Sequence, residues 1–277
     1  MEAKELNYIS KLVIYFILVL ILVTILFPVF WMTYTGLKTP QEITENPFAL
    51  PKSFYFGNII KAFEVANFGR LIFNSLVVTT ISVLGILVFC SAAAYAFATF
   101  KFRGSKFLFI YFLMGMMIPP QVILIPSFKI MGMLHLHDNY LALFLTYWSW
   151  VPFAIFFLRA TFLSIPKELI SAARIDGCSE FGIFWRIMAP LAMPGIVTVG
   201  IFYFVWIFND FLWPLIYIRD ASLRTITLGM MNFHGKYTSL WNLQMAALSL
   251  ATWPPVIIYL LFRNQIQKGL TEGALKF

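Results

Sequence analysis

Six stretches of the chain run for 20 residues or more without Asp, Glu, Lys or Arg: 12–37, 71–100, 107–128, 139–158, 187–209 and 237–262. All are rich in Leu, Ile, Val and Phe. A bilayer crossing takes about 20 apolar residues at ~1.5 Å rise each, so every stretch is long enough. The apolar runs are continuous rather than alternating, which predicts helices and not barrel strands. The helices are expected at roughly 12–34, 72–98, 107–126, 140–160, 194–217 and 244–262. Lys4 and Lys11 precede the first, as basic residues precede a secretory signal. Its apolar core is longer than the about 7–15 residues of such a signal, and no small-residue cleavage site follows, so a retained anchor is expected.

Composition supports this reading. Of the 277 residues, 61% are hydrophobic and 12% charged, against about 45–50% and about 25% in soluble domains. That excludes a soluble enzyme, a disordered chain and a disulfide-stapled secreted domain. A net charge of +8 would suit nucleic acid, but most charges sit in short clusters between the apolar runs, where basic residues flank a membrane. With both termini inside, segments 1–11, 101–106, 159–191 and 263–277 hold 12 of the 20 Lys and Arg. Lys101, Arg103 and Lys106, packed into one loop, are the clearest part of that bias. The expected fold is all-α: one membrane domain over 1–277 with six transmembrane helices, its core about 71–262, and cytoplasmic N- and C-termini. The lipid bilayer is then a partner and nucleic acid is not.

Candidate chemistry is largely absent. There is no G-x-x-x-x-G-K-[ST] loop to hold ATP. Cys90 and Cys178 are expected to be small buried thiols, serving neither a disulfide nor a metal. His135, His137 and His234 fall in loops; His135-x-His137-Asp138 has the residue types of a metal site, but an exposed interfacial loop is the better reading. No Ser/His/Asp or Cys/His set is spaced for catalysis, so no catalytic residue is expected. Ion-coupled carriers place ionisable groups inside their spans. Here the one near-exception is Asp210, on the outer half of the fifth. If this chain moves a solute, its energy comes from another subunit.

The most informative stretch is Ser164 to Gly195, within which 164–190 forms the loop between the fourth and fifth spans. Pro166 suits a first helical turn, where its missing N–H costs nothing. Residues 166–175 read as a short helix and Gly177 as its stop. Ser179 can cap a second helix carrying Phe181, Phe184 and Met188. Ala172 and Ala173, with Leu169 one turn earlier, form a small-residue patch rimmed by Lys167, Glu168, Arg174 and Asp176. Two readings stay open: a knob on which another protein docks, and an amphipathic helix lying on lipid.

This segment resembles the EAA loop of permease subunits in bacterial ABC importers. That pattern runs Glu-Ala-Ala, then Gly four residues on, and later Ile-x-Leu-Pro. Here it reads Ser171-Ala172-Ala173-Arg174-Ile175-Asp176-Gly177, then Ile187-Met188-Ala189-Pro190. Ser171 replaces the usual Glu and Ala189 the usual Leu; Glu168, one turn earlier, is a candidate substitute. Further matches are Phe73-Asn74-Ser75-Leu76, Ile118-Pro119-Pro120-Gln121, Ile165-Pro166-Lys167-Glu168-Leu169 and Phe208-Asn209-Asp210-Phe211-Leu212-Trp213-Pro214. Together they are similar to the carbohydrate-uptake branch, the maltose-type second permease. The resemblance implies a binding-protein-dependent importer in the cytoplasmic (inner) membrane of a bacterium. Its partners would be a second homologous permease, two ATP-binding-cassette ATPase subunits and an extracytoplasmic solute-binding protein. ATP and Mg would sit on the ATPases, leaving no cofactor in this chain.

The resemblance also assigns roles. Helix 166–176 would be the cytoplasmic coupling helix, with Lys167, Glu168, Leu169, Ser171, Ala172, Ala173, Asp176 and Gly177 at the ATPase contact. The tail 263–277 would reach between the ATPases. Loops 36–70 and 219–241 would face the binding protein, the second as a mobile probing loop with Gly229, Asn232, Gly235 and Tyr237. Trp206, Asn209, Asp210 and Trp213 share a helical face by spacing and, with Phe211, offer the rings, amide and carboxylate that hold a sugar. The alternative is an aromatic anchor at the interface with Asp210 paired structurally. Pro119-Pro120 and Pro254-Pro255 either break spans three and six beside the cavity or bend them for packing. Trp148 and Trp150 are expected to pack. Other functions to weigh are a permease for a non-sugar solute, a membrane-embedded enzyme and an ion-coupled carrier.

Overall fold

A computed structural model describes residues 8–236 and 240–274, with side chains for 8–231 and 240–263. Every regular element among them is helical. The chain clusters into two units, Met1–Gly69 with Met230–Trp253, and Arg70–Gly229 with Pro254–Phe277.

The first unit begins with α1, Tyr8–Thr35, apolar on all sides and exposed along nearly its whole length. A helix with no polar face and no protein cover belongs in hydrocarbon. Two short helices follow, α2 (Pro40–Glu45) and α3 (Gly57–Val65). Thr39 and Glu42 form a reciprocal capping box at the start of α2. Asn58 is buried and donates to the Gly36 and Lys38 carbonyls at 3.0 and 2.8 Å. Asn242 donates to Asn58 at 2.9 Å, which ties in the first turn of the last helix. Lys38 is solvent-inaccessible, its ammonium donating to the carbonyls of Asn46 and Pro47.

The second unit holds α4 (Phe68–Thr99, from Arg70 on), α5 (Ser105–Met114), α6 (Pro120–Met133), α7 (Tyr140–Trp148) and α8 (Pro152–Leu163). Then come α9 (Lys167–Ile175), α10 (Glu180–Ile183), a π-turn at Phe184–Met188, α11 (Ala189–Leu191), α12 (Met193–Phe208) and α13 (Leu212–Tyr217). Two further helices run across the boundary between the units, α14 (Ile226–Lys236) and α15 (Trp241–Ala274).

Among the described residues three helices are long and apolar enough to cross a membrane, α1, α4 and Trp241–Arg263 of α15, and up to six spans result if each of three bent pairs counts as one. The bends correct the straight spans expected from apolar length. The third is interrupted after Met117 and turns by 100° into α6. Pro120 lacks an N–H and forces Pro119 out of the helical region, so the ladder stops there. The fourth bends by 48° ahead of Pro152. The fifth ends at Phe208 and restarts only at Leu212, so 194–217 is not one helix. Pro254-Pro255, by contrast, lie within an unbroken α15.

The core of the second unit includes Ile86, Leu143, Tyr147, Ile155, Leu158, Ile183 and Met188. Trp148 packs as expected: its indole donates to the Ser82 carbonyl at 3.1 Å and lies where a Cβ on Gly85 would be 2.0 Å from its Nε1. Both cysteines are free; Cys90 is buried as expected, but Cys178 is exposed because it sits outside the helix stop at Gly177. His135-x-His137 forms no cluster of three metal-ligating side chains among the described residues. Asp138 instead accepts hydrogen bonds from the Arg219 and Asp220 amides, which hold its carboxyl below the usual range.

Candidate functional site: a capped helix and an aromatic cleft

The loop after α8 is built as a stiff unit. Pro166 opens α9 in an extended conformation and Asp176 closes it. Gly177 then takes φ +80°, which only glycine adopts without strain. The amides of Gly177 and Cys178 donate back to Arg174 and Ala173 at 3.1 and 2.9 Å, satisfying two terminal carbonyls. The Ser179 hydroxyl accepts from the Gly182 amide, as its capping position predicts. Arg174 Nε donates to Glu180 Oε1 at 2.7 Å, clamping α9 to α10. That contact holds the Glu180 carboxyl below, and the Arg174 guanidinium above, their ordinary ranges.

Seating comes from one face. Ile170 and Ala173 are buried, and Tyr95, Phe162 and Phe184 form an aromatic triad with centroids 5.3–6.3 Å apart. The small-residue patch is therefore divided: Ala173 anchors the helix and Ala172 faces out. Lys167, Glu168, Leu169, Ser171, Asp176 and Gly177 are exposed with it. Two exposed apolar side chains, Ile175 at 86% and Phe181 at 74% exposure, are not among the expected contact residues. The signal was present, since Glu168, Ala172 and Ile175 share a face by i, i+4, i+7 spacing. Phe181 is exposed whereas Phe184 and Met188 are buried, so the three do not share one face.

The second place is a cleft of about 500 Å³ where two helix breaks meet α12. Its volume is in the range of small-molecule sites. Ile118 comes from the α5–α6 break, Trp150 from the α7–α8 break, Phe153 from the first turn of α8, and Phe202, Tyr203 and Trp206 from α12. Trp150 and Trp206 stack with centroids 4.0 Å apart. The Tyr203 hydroxyl donates to the Trp150 carbonyl at 2.7 Å, fixing the break. Among the described residues no carboxylate, ammonium or guanidinium lines the cleft.

Of the five residues expected along a solute path, only Trp206 lines the cleft. The shared helical face does not exist, because α12 ends at Phe208. Asn209 donates back to the Val205 carbonyl at 2.7 Å and Phe211 is exposed. Trp213 is 1% exposed and stacks on Tyr217. Asp210 caps the restart, accepting from the Leu212 and Trp213 amides at 3.1 and 3.3 Å and from the Tyr147 hydroxyl at 2.7 Å. Trp150 packs as expected, on Trp206, and it also lines the cleft; the signal for that was Pro152 two positions on, which marks a break.

The expected probing loop is mostly helix: Gly229, Asn232 and Gly235 lie in α14, while Tyr237 is outside the described residues. The start of α14 is fixed because Asn74 donates to the Ser222 and Arg224 carbonyls and Ser75 accepts from the Ile226 amide.

The family described as binding-protein-dependent transport system inner membrane component matches residues 88–272. The probable ABC transporter permease protein YurM of Bacillus subtilis (strain 168) is 37% identical over 273 residues, covering 97% of this chain and 90% of that one. The arabinooligosaccharides transport system permease protein AraQ of the same organism is 34% identical over 255 residues, covering 91% and 90%. Among solved structures, a bacterial ABC transporter involved in the import of the acidic polysaccharide alginate superposes with a TM-score of 0.83 at 20% identity, covering 95% of this chain and 99% of that one. That likeness is one of fold.

Proposed function

This chain belongs to the binding-protein-dependent transport system inner membrane components, permease subunits and not enzymes, and from that membership we propose that it forms half of a pathway for a saccharide. In this reading six spans cross the inner membrane with both termini cytoplasmic. A solute-binding protein serves one side and ATPase subunits the other, with a second, homologous permease completing the pore. ATP and Mg belong to the ATPases and this chain carries no cofactor.

The coupling element is α9. The observation that carries this is its fixation at both ends, by Pro166 and by Gly177 with the Arg174–Glu180 clamp, while Leu169, Ala172 and Ile175 are left exposed. A helix so held passes a push to the spans, and a slack loop would absorb it. The solute is a sugar on two grounds. AraQ is named for arabinooligosaccharides, and the cleft offers the Trp150–Trp206 pair without a charge. Aromatic faces stack on the C–H faces of sugar rings, and an uncharged cleft suits a neutral solute.

Labelling tests the orientation. Exposed Cys178 follows α9 directly. In right-side-out membrane vesicles it should resist an impermeant maleimide, and in inside-out vesicles of the complex without its ATPases it should react fast. The reverse pattern would put α9 on the outer face and refute the reading.

A further inference from the structure

A second cavity, of about 410 Å³, lies where α4 and α8 end against α9. Its walls differ from those of the aromatic cleft. Lys101 follows α4, and Lys167 and Arg174 stand on α9, with Thr99 and Ser171 adding hydroxyls. Among the described residues no carboxylate lines it. Lys101 and Lys167 have no ion-pair partner among the described residues, and Arg174 meets Glu180 through Nε alone. Phe162, Leu163 and Ile165 supply an apolar wall, with Leu163 exposed.

The level of the cavity matters as much as its charge. α4 is a candidate span and α8 belongs to a bent candidate pair, so their ends at Thr99 and Leu163 mark where hydrocarbon gives way to water. Lys, Arg and hydroxyl donors gathered around one space suit phosphate oxygens. Basic pockets between helices at that level take anionic headgroups.

We propose that this cavity binds a phosphate-bearing anion, and that the phosphodiester of an anionic phospholipid fills it with its acyl chain along Leu163. Lys167, Ser171 and Arg174 lie on α9, so the bound lipid braces that helix against α4. The bracing consequence, unlike the binding, rests on the coupling role given to α9.

The test is lipid retention by the purified full chain and by the assembled transporter, read by native mass spectrometry after exchange into phosphatidylglycerol or phosphatidylcholine nanodiscs. Phosphatidylglycerol should be retained in preference. Lys101→Gln should cut that preference about 5-fold, the effect of one basic residue at an anionic surface, and Lys101→Arg should keep it. Equal retention of the two lipids, or no effect of Lys101→Gln, overturns the site. Displacement by millimolar inorganic phosphate would leave an anion site but overturn the lipid as its occupant. Phosphatidylglycerol held by the chain alone and excluded from the assembled transporter would give the cavity to an acidic side chain of a partner, and would also overturn it. Retention is read without transport, so it stands or falls separately from the coupling role. If only that role fails, phosphatidylglycerol still binds and Lys101→Gln leaves ATP hydrolysis unchanged.

Discussion

The α9 segment and the aromatic cleft are made by opposite uses of the same residues. At α9, proline and glycine close off a helix so that it moves as a piece. At the cleft, Pro119-Pro120 and Pro152 interrupt helices so that rings and backbone face a shared space. One region gains stiffness by satisfying its helix ends, through Gly177, Cys178 and Ser179. The other gains a cavity by interrupting its helices, with the Tyr203 hydroxyl donating to the Trp150 carbonyl at one break. The proposed coupling part and the proposed solute cleft therefore differ in how their backbones end, more than in how apolar they are.

The largest effect is expected at the helix stop. Gly177→Val puts a β-branched residue at φ +80°, a strain of about 1–2 kcal/mol that the helix end escapes by changing its cap. No atom lies within 4 Å of the added Cβ, so crowding plays no part. Solute uptake and solute-stimulated ATP hydrolysis should fall together to background, with normal amounts of protein in the membrane. Near-normal uptake would show that the cap is not what transmits motion.

Next comes the cleft. Trp206→Ala removes one half of the stacked pair, ~0.5–1.5 kcal/mol of ring contact, and uptake should drop about 2- to 12-fold at low solute concentration. Basal ATP hydrolysis should be retained. A loss of hydrolysis equal to the loss of uptake would erase the distinction between the two regions.

Asp210→Ala should act on stability. It leaves the Tyr147 hydroxyl and two amides at the start of α13 without their acceptor, at about 1–3 kcal/mol for a buried unpaired group. The melting temperature in detergent should fall while relative rates among solutes stay constant. A shift in solute preference at unchanged melting temperature would return Asp210 to the path.

The smallest effect concerns the clamp. Glu180 is held below the usual carboxylate range by Arg174, so the pair is intact above the ordinary Glu pKa and is lost as pH falls through the lowered folded value. Coupled ATP hydrolysis should then be flat from ~pH 6 to 8 and decline only in acid. Glu180→Gln should remove the part of that decline due to the clamp. Both groups are largely exposed, so salt should soften the effect.

Much of this was legible along the chain. Charge-free length gave the apolar helices, and Pro166 with Gly177 gave both ends of α9. The interruptions were not legible, for a physical reason. The break residues Ile118 and Ser149–Val151 are uncharged and leave apolar continuity intact, and proline alone is ambiguous. Pro119-Pro120 and Pro152 start new helices, whereas Pro28, Pro126 and Pro254-Pro255 ride inside old ones. Which outcome holds depends on packing around the freed carbonyls, and spacing does not carry that. At 206–213 the spacing predicts a helical face that passes through Asn209–Phe211, where no helix runs.

Lys38 has a consequence for the segment that closes over it. Its ammonium sits among the Asn46 and Pro47 carbonyls and over the Tyr34 ring, as a small metal ion would sit in a loop of oxygens. A tethered cation cannot be chelated, dialysed away or exchanged for a competitor. The turn from 38 to 47 thus keeps its shape in chelator and in changing mineral content, conditions that would collapse a calcium-dependent loop.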